Sequence, residues 1–313
     1  MPIRLVVPAE LAGLRLDIAV TRLAPQLSRR QTKRLVEDGL VFVDGKRVQV
    51  CSRAVRTGGQ LLIEDQAPQH DDAPAPRVLA LDADIVVVDK PAGVPTEPTR
   101  EGSRGTLLAS LKDELNARGV QTNFLHAVHR LDTHTTGVVM FARNADAAHA
   151  LGRQLHDGLA ERRYLALVAG CPPWLRARLD FPLAKNRGDD GKIRIDENGA
   201  AAVTLATVLV PGAALSLVLC APRTGRTHQL RAHLERAGHP LVGDRLYGGS
   251  KRSHLGLHAL SIAVAHPESS LGVRFVAPPP PELLEVAAQG GIPAAVVLAA
   301  ARAVVPELAE VGA

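Results

Sequence analysis

His129-Arg130-Leu131-Asp132-Thr133-His134-Thr135-Thr136-Gly137 runs without a break into Val138-Val139-Met140-Phe141-Ala142. The second half is β-branched, aromatic and uncharged, and reads as a buried strand. The first half cannot follow it into a core: it carries a carboxylate flanked by Arg and His, then hydroxyls and a glycine. Asp132 is therefore predicted on a turn at the mouth of the strand, its carboxylate facing a cleft while its neighbours enter the interior. Loops carried by a rigid scaffold are where binding and catalytic groups concentrate.

The flanking sequence follows an α+β pattern. Ile85–Val88 reads as a buried strand, followed by a turn at 89–94, and Thr106–Arg118 as a helix with Leu107, Leu108, Leu111 and Leu115 on one face and Gly119 as its stop. Beyond the central stretch, a helix is expected over Ala145–Asp157. Strands follow at Arg163–Val168, Ala202–Val210, Leu215–Leu219 and Leu255–Ala265. The polar insert between Pro182 and Gly199 reads as a surface loop or hairpin. Together these spans predict a domain over 78–290. The Ala/Val-rich residues of 291–313 form a tail with no assigned role, expected as a weak helix packed on the surface.

Residues 13–65 read as a separate small unit. A short amphipathic helix over Leu14–Leu23 ends before Pro25, and Ser28 with Gln31 makes a capping box that opens a second helix through Asp38 to Gly39. Asp44-Gly45 between two short apolar runs signals a type I′ hairpin, and Leu61–Glu64 reads as a closing strand. The second helix carries Arg29, Arg30, Lys33 and Arg34, cations that repel one another unless something anionic lies against them. Between Arg15 and Arg56 there are ten Lys and Arg against four Asp and Glu, while the whole chain is only +5. The excess basic charge is thus concentrated here, as expected of a surface that meets phosphates. The Pro/Ala/Asp-rich residues 66–77 read as a flexible linker.

Three scattered cysteines without a C-x-x-C pair argue against a disulfide framework or a cysteine zinc site. No apolar leader and no run near 18 apolar residues are present, so a cytoplasmic protein without membrane contact is expected. His126, His129 and Asp132 are spaced by threes, but no further ligand cluster accompanies them and no metal is expected. His-Arg-Leu-Asp also differs from a kinase H-R-D loop by its extra Leu, and no glycine-rich loop or D-F-G accompanies it.

A second informative stretch is Arg223-Thr224-Gly225-Arg226-Thr227-His228-Gln229-Leu230-Arg231-Ala232-His233-Leu234. Thr227 is expected to cap a helix running to about Ala237 before Gly238. Helical spacing turns Arg231 partly toward the apolar side, which is costly unless it meets a carboxylate.

The segments HRLDTHTTGVVMFARN, ERRYLALVAG and HQLRAHLERAGHPLVGDRLYGG, with VVVDKPAGVP before them and GLHAL with His266-Pro267 after, occur in the order seen in the RluA-type pseudouridine synthases and resemble that family. In place of the family's common His before a Pro, this chain has Thr96-Glu97-Pro98. SRRQTKRLVEDGLVFVDGKRV resembles the RNA-binding module of small-subunit ribosomal protein four. The resemblance implies a mixed, mainly antiparallel catalytic sheet of pseudouridine synthase type behind a small N-terminal α/β RNA-binding module. It also implies a monomer that converts uridine, in large-subunit rRNA before tRNA, to its carbon-linked isomer. Nothing is oxidised and no group leaves, so no cofactor is expected. By the same resemblance Asp132 is the nucleophile, Arg231 its guanidinium partner, and Tyr164 the ring on which the target base stacks. Arg130 is placed to enter the vacated stack, and Arg29, Arg30, Lys33, Arg34 and Arg226 are expected to contact RNA.

Overall fold

The computed structural model describes residues 3–37, 40–48, 50–63, 75–98, 105–186, 192–250 and 252–309. The chain forms two compact units, Met1–Ala75 with Pro95–Gln121, and Pro76–Val94 with Thr122–Ala313. Residues 95–121, expected within the 78–290 domain, thus group with the first unit. Most of the expected linker at 66–77 lies outside the described residues, as do Asp38 and Gly39.

In the first unit, β1 (Ile3–Val6), β2 (Val41–Val43), β3 (Lys46–Arg47) and β4 (Gln60–Ile63) form an antiparallel sheet in the order β1-β4-β2-β3. Helices α1 (Leu16–Leu23) and α2 (Arg29–Glu37) share with this sheet a core of Leu16, Val20, Val36, Val41 and Leu61. The capping box is present: the Gln31 N–H donates to Ser28 Oγ at 3.3 Å and the Ser28 N–H to Gln31 Oε1 at 2.9 Å. Asp44 and Gly45 take φ of 52° and 74°, the two left-handed residues that a type I′ turn requires. The unit also contains α3 (Leu107–Ala117), capped by Thr106 and burying Leu107, Leu111 and Leu115.

The second unit is built on β5 (Arg77–Leu81), β6 (Ile85–Lys90), β7 (His126–Ala127), β8 (Thr136–Ala142), β9 (Glu161–Ala169), β10 (Arg176–Asp180), β13 (Val203–Val210), β14 (Leu215–Pro222), β15 (Leu257–Ala265) and β16 (Gly272–Val276). Among the described residues these ten form one sheet in the order β10-β13-β14-β9-β15-β8-β6-β5, with β16 on β15 and β7 on β8. Every pairing is antiparallel except β15 with β8. The polar insert forms a two-stranded hairpin, β11 (Leu183–Lys185) with β12 (Ile193–Ile195). Ile85, Val87, Val138, Met140 and Ile262 pack on one face with Leu151 of α4 (Ala145–His156). Leu165, Leu167, Leu217 and Leu260 join a second cluster with α6 (Pro281–Gln289) and α7 (Ala294–Val304). The central strands are covered on both sides, which is why β8 is buried throughout and apolar from Val138 to Ala142.

The C-terminal segment differs from the surface helix expected of it. Val297, Ala301 and Val305 are fully buried against Leu283, Val286 and Ile292, so α7 closes the main core. Its Ala-rich stripe resembled a weak surface helix because small residues pack closely without a strong amphipathic signal. No single helix among the described residues is long and apolar enough to cross a membrane.

The parallel contact sets where the Asp132 turn ends. Thr136 and Gly137 pair with His258 and Ala259 of β15. Gly137 has φ 110°, and a Cβ there would lie 2.2 Å from the Ala259 carbonyl oxygen, so only glycine fits this approach. His258 is fully buried; its Nδ1 accepts the Thr136 hydroxyl at 2.9 Å and its Nε2–H donates to the Ala277 carbonyl at 3.0 Å. Burial pushes its pKa down to about 4. The folded state holds this ring neutral, so its contribution is complete above the unfolded value of about 6.5 and is lost as pH falls from there toward 4. We expect the wild type to lose about 3 kcal/mol more unfolding free energy over that window than His258→Gln, measured by chemical denaturation. Parallel pH profiles for the two proteins would contradict this assignment.

Candidate active site

The site is a cavity of about 390 Å³ in the second unit, within the range of small-ligand pockets. Its walls come from the turn before β8, from β9, from the end of β14 and from the start of α5 (Gln229–Arg236). Asp132, Tyr164 and Arg231, far apart in sequence, all line it, as do Arg130 and Arg226.

Asp132 lies on a turn closed by the Thr135 N–H, which donates to the Asp132 carbonyl at 3.0 Å. Lys90, 1% exposed, supports that turn from below. Its ammonium donates to the carbonyls of Pro91, Thr133 and Thr135 at 2.9, 2.9 and 2.8 Å. Three carbonyl acceptors match the three N–H of the charged form. Burial pushes the Lys90 pKa down to about 7, and the Asp132 carboxylate opposes this. Behind the turn, His129 Nε2 accepts the Met140 N–H at 3.2 Å, which fixes the ring to β8 as a neutral imidazole.

Arg231 meets the carboxylate its position calls for, and a second one besides. Its Nε and Nη2 bind both oxygens of Asp244 at 2.8 Å each, a fork-to-fork pair that leaves Nη1 directed at Asp132 Oδ2, 3.2 Å away. The Asp244 side chain is fully buried and also accepts the N–H groups of Leu246 and Tyr247. The loop presenting it is tight enough that a Cβ on Gly249 would fall 2.0 Å from the Leu241 carbonyl oxygen. The Tyr247 ring lies 5.0 Å from the Arg231 guanidinium carbon.

Helix α5 does not begin as its sequence implies. The N-cap is His228, in the left-handed region at φ 52°, rather than Thr227. Gln229, the first helical residue, ties down the loop before the helix: its Oε1 accepts the Thr224 hydroxyl at 2.7 Å and the Arg226 N–H at 3.0 Å. The amide of Gln229 donates to the Val203 carbonyl and the Thr204 hydroxyl.

Tyr164 is 9% exposed on β9, and burial raises its phenol above the ordinary range, with Asp132 adding to the shift and Arg162 opposing it. Arg162 is itself buried beside the cavity; its Nη2 donates to the carbonyls of Pro222 and Thr224. Arg130 and Arg226 are exposed, and Arg226 Nε donates to the Ala201 carbonyl at 3.2 Å. In the first unit, Arg29, Arg30 and Lys33 are exposed on α2, while the side chain of Arg34 lies outside the described residues.

The family model for RNA pseudouridylate synthase matches residues 84–236, and that for the S4 domain matches residues 14–61. The chain belongs to the RNA pseudouridylate synthase family, and it is an RNA-modifying enzyme of that family with an N-terminal S4 domain. It is 33% identical, over 90% of its length and 86% of the relative's, to a protein of Nitrosomonas europaea named ribosomal large subunit pseudouridine synthase D. It is 35% identical to a Mycobacterium bovis protein named uncharacterized RNA pseudouridine synthase, over 88% and 94% of the two chains. The solved structure of human RNA pseudouridylate synthase domain containing 1 superposes with a TM-score of 0.57 at 27% identity, over 70% of this chain and 89% of that one.

Lys90, Arg162, His228, Asp244 and Tyr247 were not marked as site residues by the sequence. The one signal pointing to them was energetic: a half-buried Arg231 called for a carboxylate, and Asp244 lies in the same resembling stretch. Removing one partner from such a buried pair costs about 3–5 kcal/mol. We expect Asp244→Asn to lower the unfolding free energy by that order. By misplacing Arg231, it should also cut turnover at least about 100-fold. Thermal denaturation and single-turnover assays check both effects, and wild-type turnover in this variant would show that Asp244 does not set the position of Arg231.

Proposed function

We propose that this enzyme isomerises uridines of large-subunit ribosomal RNA to pseudouridine, with Asp132 as the nucleophile. The observation that carries the reading is the placement of the Asp132 carboxylate on the wall of a cavity, 3.2 Å from a guanidinium whose other nitrogens are locked by Asp244. The preference for large-subunit rRNA rests on the name of the Nitrosomonas relative and on the basic module in front.

The isomerisation breaks the glycosidic bond at N1, turns the uracil and rejoins it through C5. The target nucleotide leaves its stack at a cost of a few kcal/mol. Tyr164 offers it a ring, worth roughly 1–3 kcal/mol in stacking, and Arg130 on the cavity rim fills the space vacated in the RNA. Asp132 attacks as the carboxylate with Arg231 holding it in register, and its bond to the nucleotide breaks as C5 rejoins the ribose, which returns the free carboxylate. Arg29, Arg30, Lys33 and Arg34 of α2 take backbone phosphates, and Arg226 takes one beside the cavity. The enzyme acts as a cytoplasmic monomer, without a cofactor.

Asp132→Asn is expected to abolish tritium release from RNA labelled at C5 of uracil while leaving RNA affinity within about twofold, because the substitution changes no phosphate contact. Turnover near wild type would remove Asp132 from the mechanism. The triple substitution of Arg29, Arg30 and Lys33 by Ala should weaken RNA binding and lower the slope of log K against log salt by about 2, at roughly 0.7 for each phosphate no longer neutralised. An unchanged slope in a filter-binding salt series would place the phosphates elsewhere.

A further inference from the structure

Three imidazoles line the cavity, those of His129, His156 and His228, and of these His228 stands against Asp132. Its ring lines the wall with Nε2 3.8 Å from Asp132 Oδ2, and its backbone stands at φ 52° and ψ 20°. A left-handed backbone is unfavourable for most residues with a Cβ, Asn and Asp excepted, and persists where the surroundings over-determine it, most often at functional positions. The surroundings here include Tyr247, whose ring meets the imidazole edge-on at 5.7 Å and whose hydroxyl lies 3.1 Å from Nδ1.

The hydrogen bonds at Tyr247 point to which nitrogen of His228 carries the hydrogen. The Ile193 N–H donates to the Tyr247 oxygen at 2.8 Å, and the Ile193 carbonyl accepts from it at 3.2 Å. Ile193 stands opposite Lys185, next to a position where the Asn186 N–H bonds the Lys192 carbonyl, so its own peptide groups turn away from β11. A phenol has one hydrogen and two lone pairs. Ile193 takes the hydrogen and one lone pair, which leaves a lone pair facing Nδ1. Nδ1 therefore carries the ring hydrogen, and Nε2 presents a bare lone pair to the cavity beside Asp132.

Building on the pseudouridine synthase reading above, we infer that His228 is the base that removes the C5 proton of the target uracil after the carbon–carbon bond has formed. At that stage C5 carries both the ribose C1′ and its original hydrogen, and the ring has a C6–N1 double bond. Nε2 takes the hydrogen as a proton, and the C–H electron pair closes the C5–C6 double bond. The C6–N1 π pair returns to N1, which takes a proton from water, and the imidazolium returns its own proton to water. No electrons are gained or lost.

Tyr164 is poorly suited to this step. Burial and the neighbouring Asp132 hold its phenol protonated, so it has no basic lone pair of comparable strength to offer. The His228 ring is kept neutral at ordinary pH, with burial outweighing the pull of Asp132 and Asp244. Once protonated, it faces the Asp132 carboxylate, which stabilises the cation.

The test uses the full chain with a large-subunit rRNA transcript carrying tritium, or in parallel deuterium, at C5 of uracil. His228→Asn places an amide near Nδ1, tolerates the left-handed backbone and removes Nε2. We expect it to bind the transcript as the wild type does, to release tritium about 10²–10⁴-fold more slowly, and to show a larger deuterium isotope effect than the wild type. Tyr247→Phe keeps the ring and frees the tautomer, and should slow release by about 10–100-fold with the same rise in isotope effect. Release by His228→Asn within threefold of wild type, or slow release without a raised isotope effect in either variant, would overturn the assignment of His228 alone. A wild type that releases no tritium would instead overturn the assigned activity, and this step with it.

Discussion

The second unit depends on one guanidinium shared unequally between two carboxylates. Asp244 holds Arg231 by two parallel bonds of 2.8 Å with no exposure of its own side chain, whereas Asp132 receives a single nitrogen at 3.2 Å and is partly open to the cavity. The asymmetry separates two tasks. The bidentate pair neutralises a buried cation and fixes its plane, which a monodentate contact could not do. The remaining nitrogen then meets Asp132 with its geometry already set, so forming that contact demands no further ordering. A carboxylate bound as tightly as Asp244 would have no oxygen left for a substrate.

The Asp132 turn is fixed from the other side by groups that make no contact with the cavity's contents. Lys90 gathers three carbonyls, two of them from the turn itself, and Gly137 lets β8 start within van der Waals reach of the β15 backbone. His258 then ties Thr136 to the carbonyl that follows β16. Each is a buried polar group or a backbone approach that tolerates no substitute of different shape. The loop that carries the reactive group is therefore as constrained as the strand it precedes, in keeping with a site whose contacts must be in place before substrate arrives.

How much of this could be read beforehand follows from the range of the forces involved. The strand after Asp132, the capping box at Ser28 and the Asp44-Gly45 turn are local: their signals lie within four residues, and the structure places each where the sequence does. Asp132, Tyr164 and Arg231 were legible as a set through a family resemblance and through the need of a half-buried arginine for a carboxylate. Asp244 and Tyr247 were not, because their roles arise from a loop that returns to α5 from thirteen and sixteen residues beyond Arg231, a distance that side-chain periodicity cannot reach. His228 was hidden for another reason. Thr227 is the better capping residue by propensity, but the helix begins one residue later, with His228 at the cap and Gln229 bonding the loop before it. The C-terminal helix reads as a surface element because its buried face is made of Ala and Val, which give little contrast with its exposed face.

The charges around the cavity do not balance. Arg130, Arg162, Arg226 and Arg231 line it, with Asp132 as the one carboxylate among the lining residues described. Asp244 lies behind Arg231 and cancels that one guanidinium, which leaves Arg162, buried, with carbonyls as its hydrogen-bond partners among the described residues and opposed to protonation of His129. A buried cation without a carboxylate is costly to the free protein. The same arrangement is relieved when a chain of phosphates lies across the rim, because each phosphate brings the missing negative charge in a medium of low dielectric. The free energy this costs the free protein is thus directed at a polyanion, while burial holds the His228 ring neutral until a proton from carbon arrives beside Asp132.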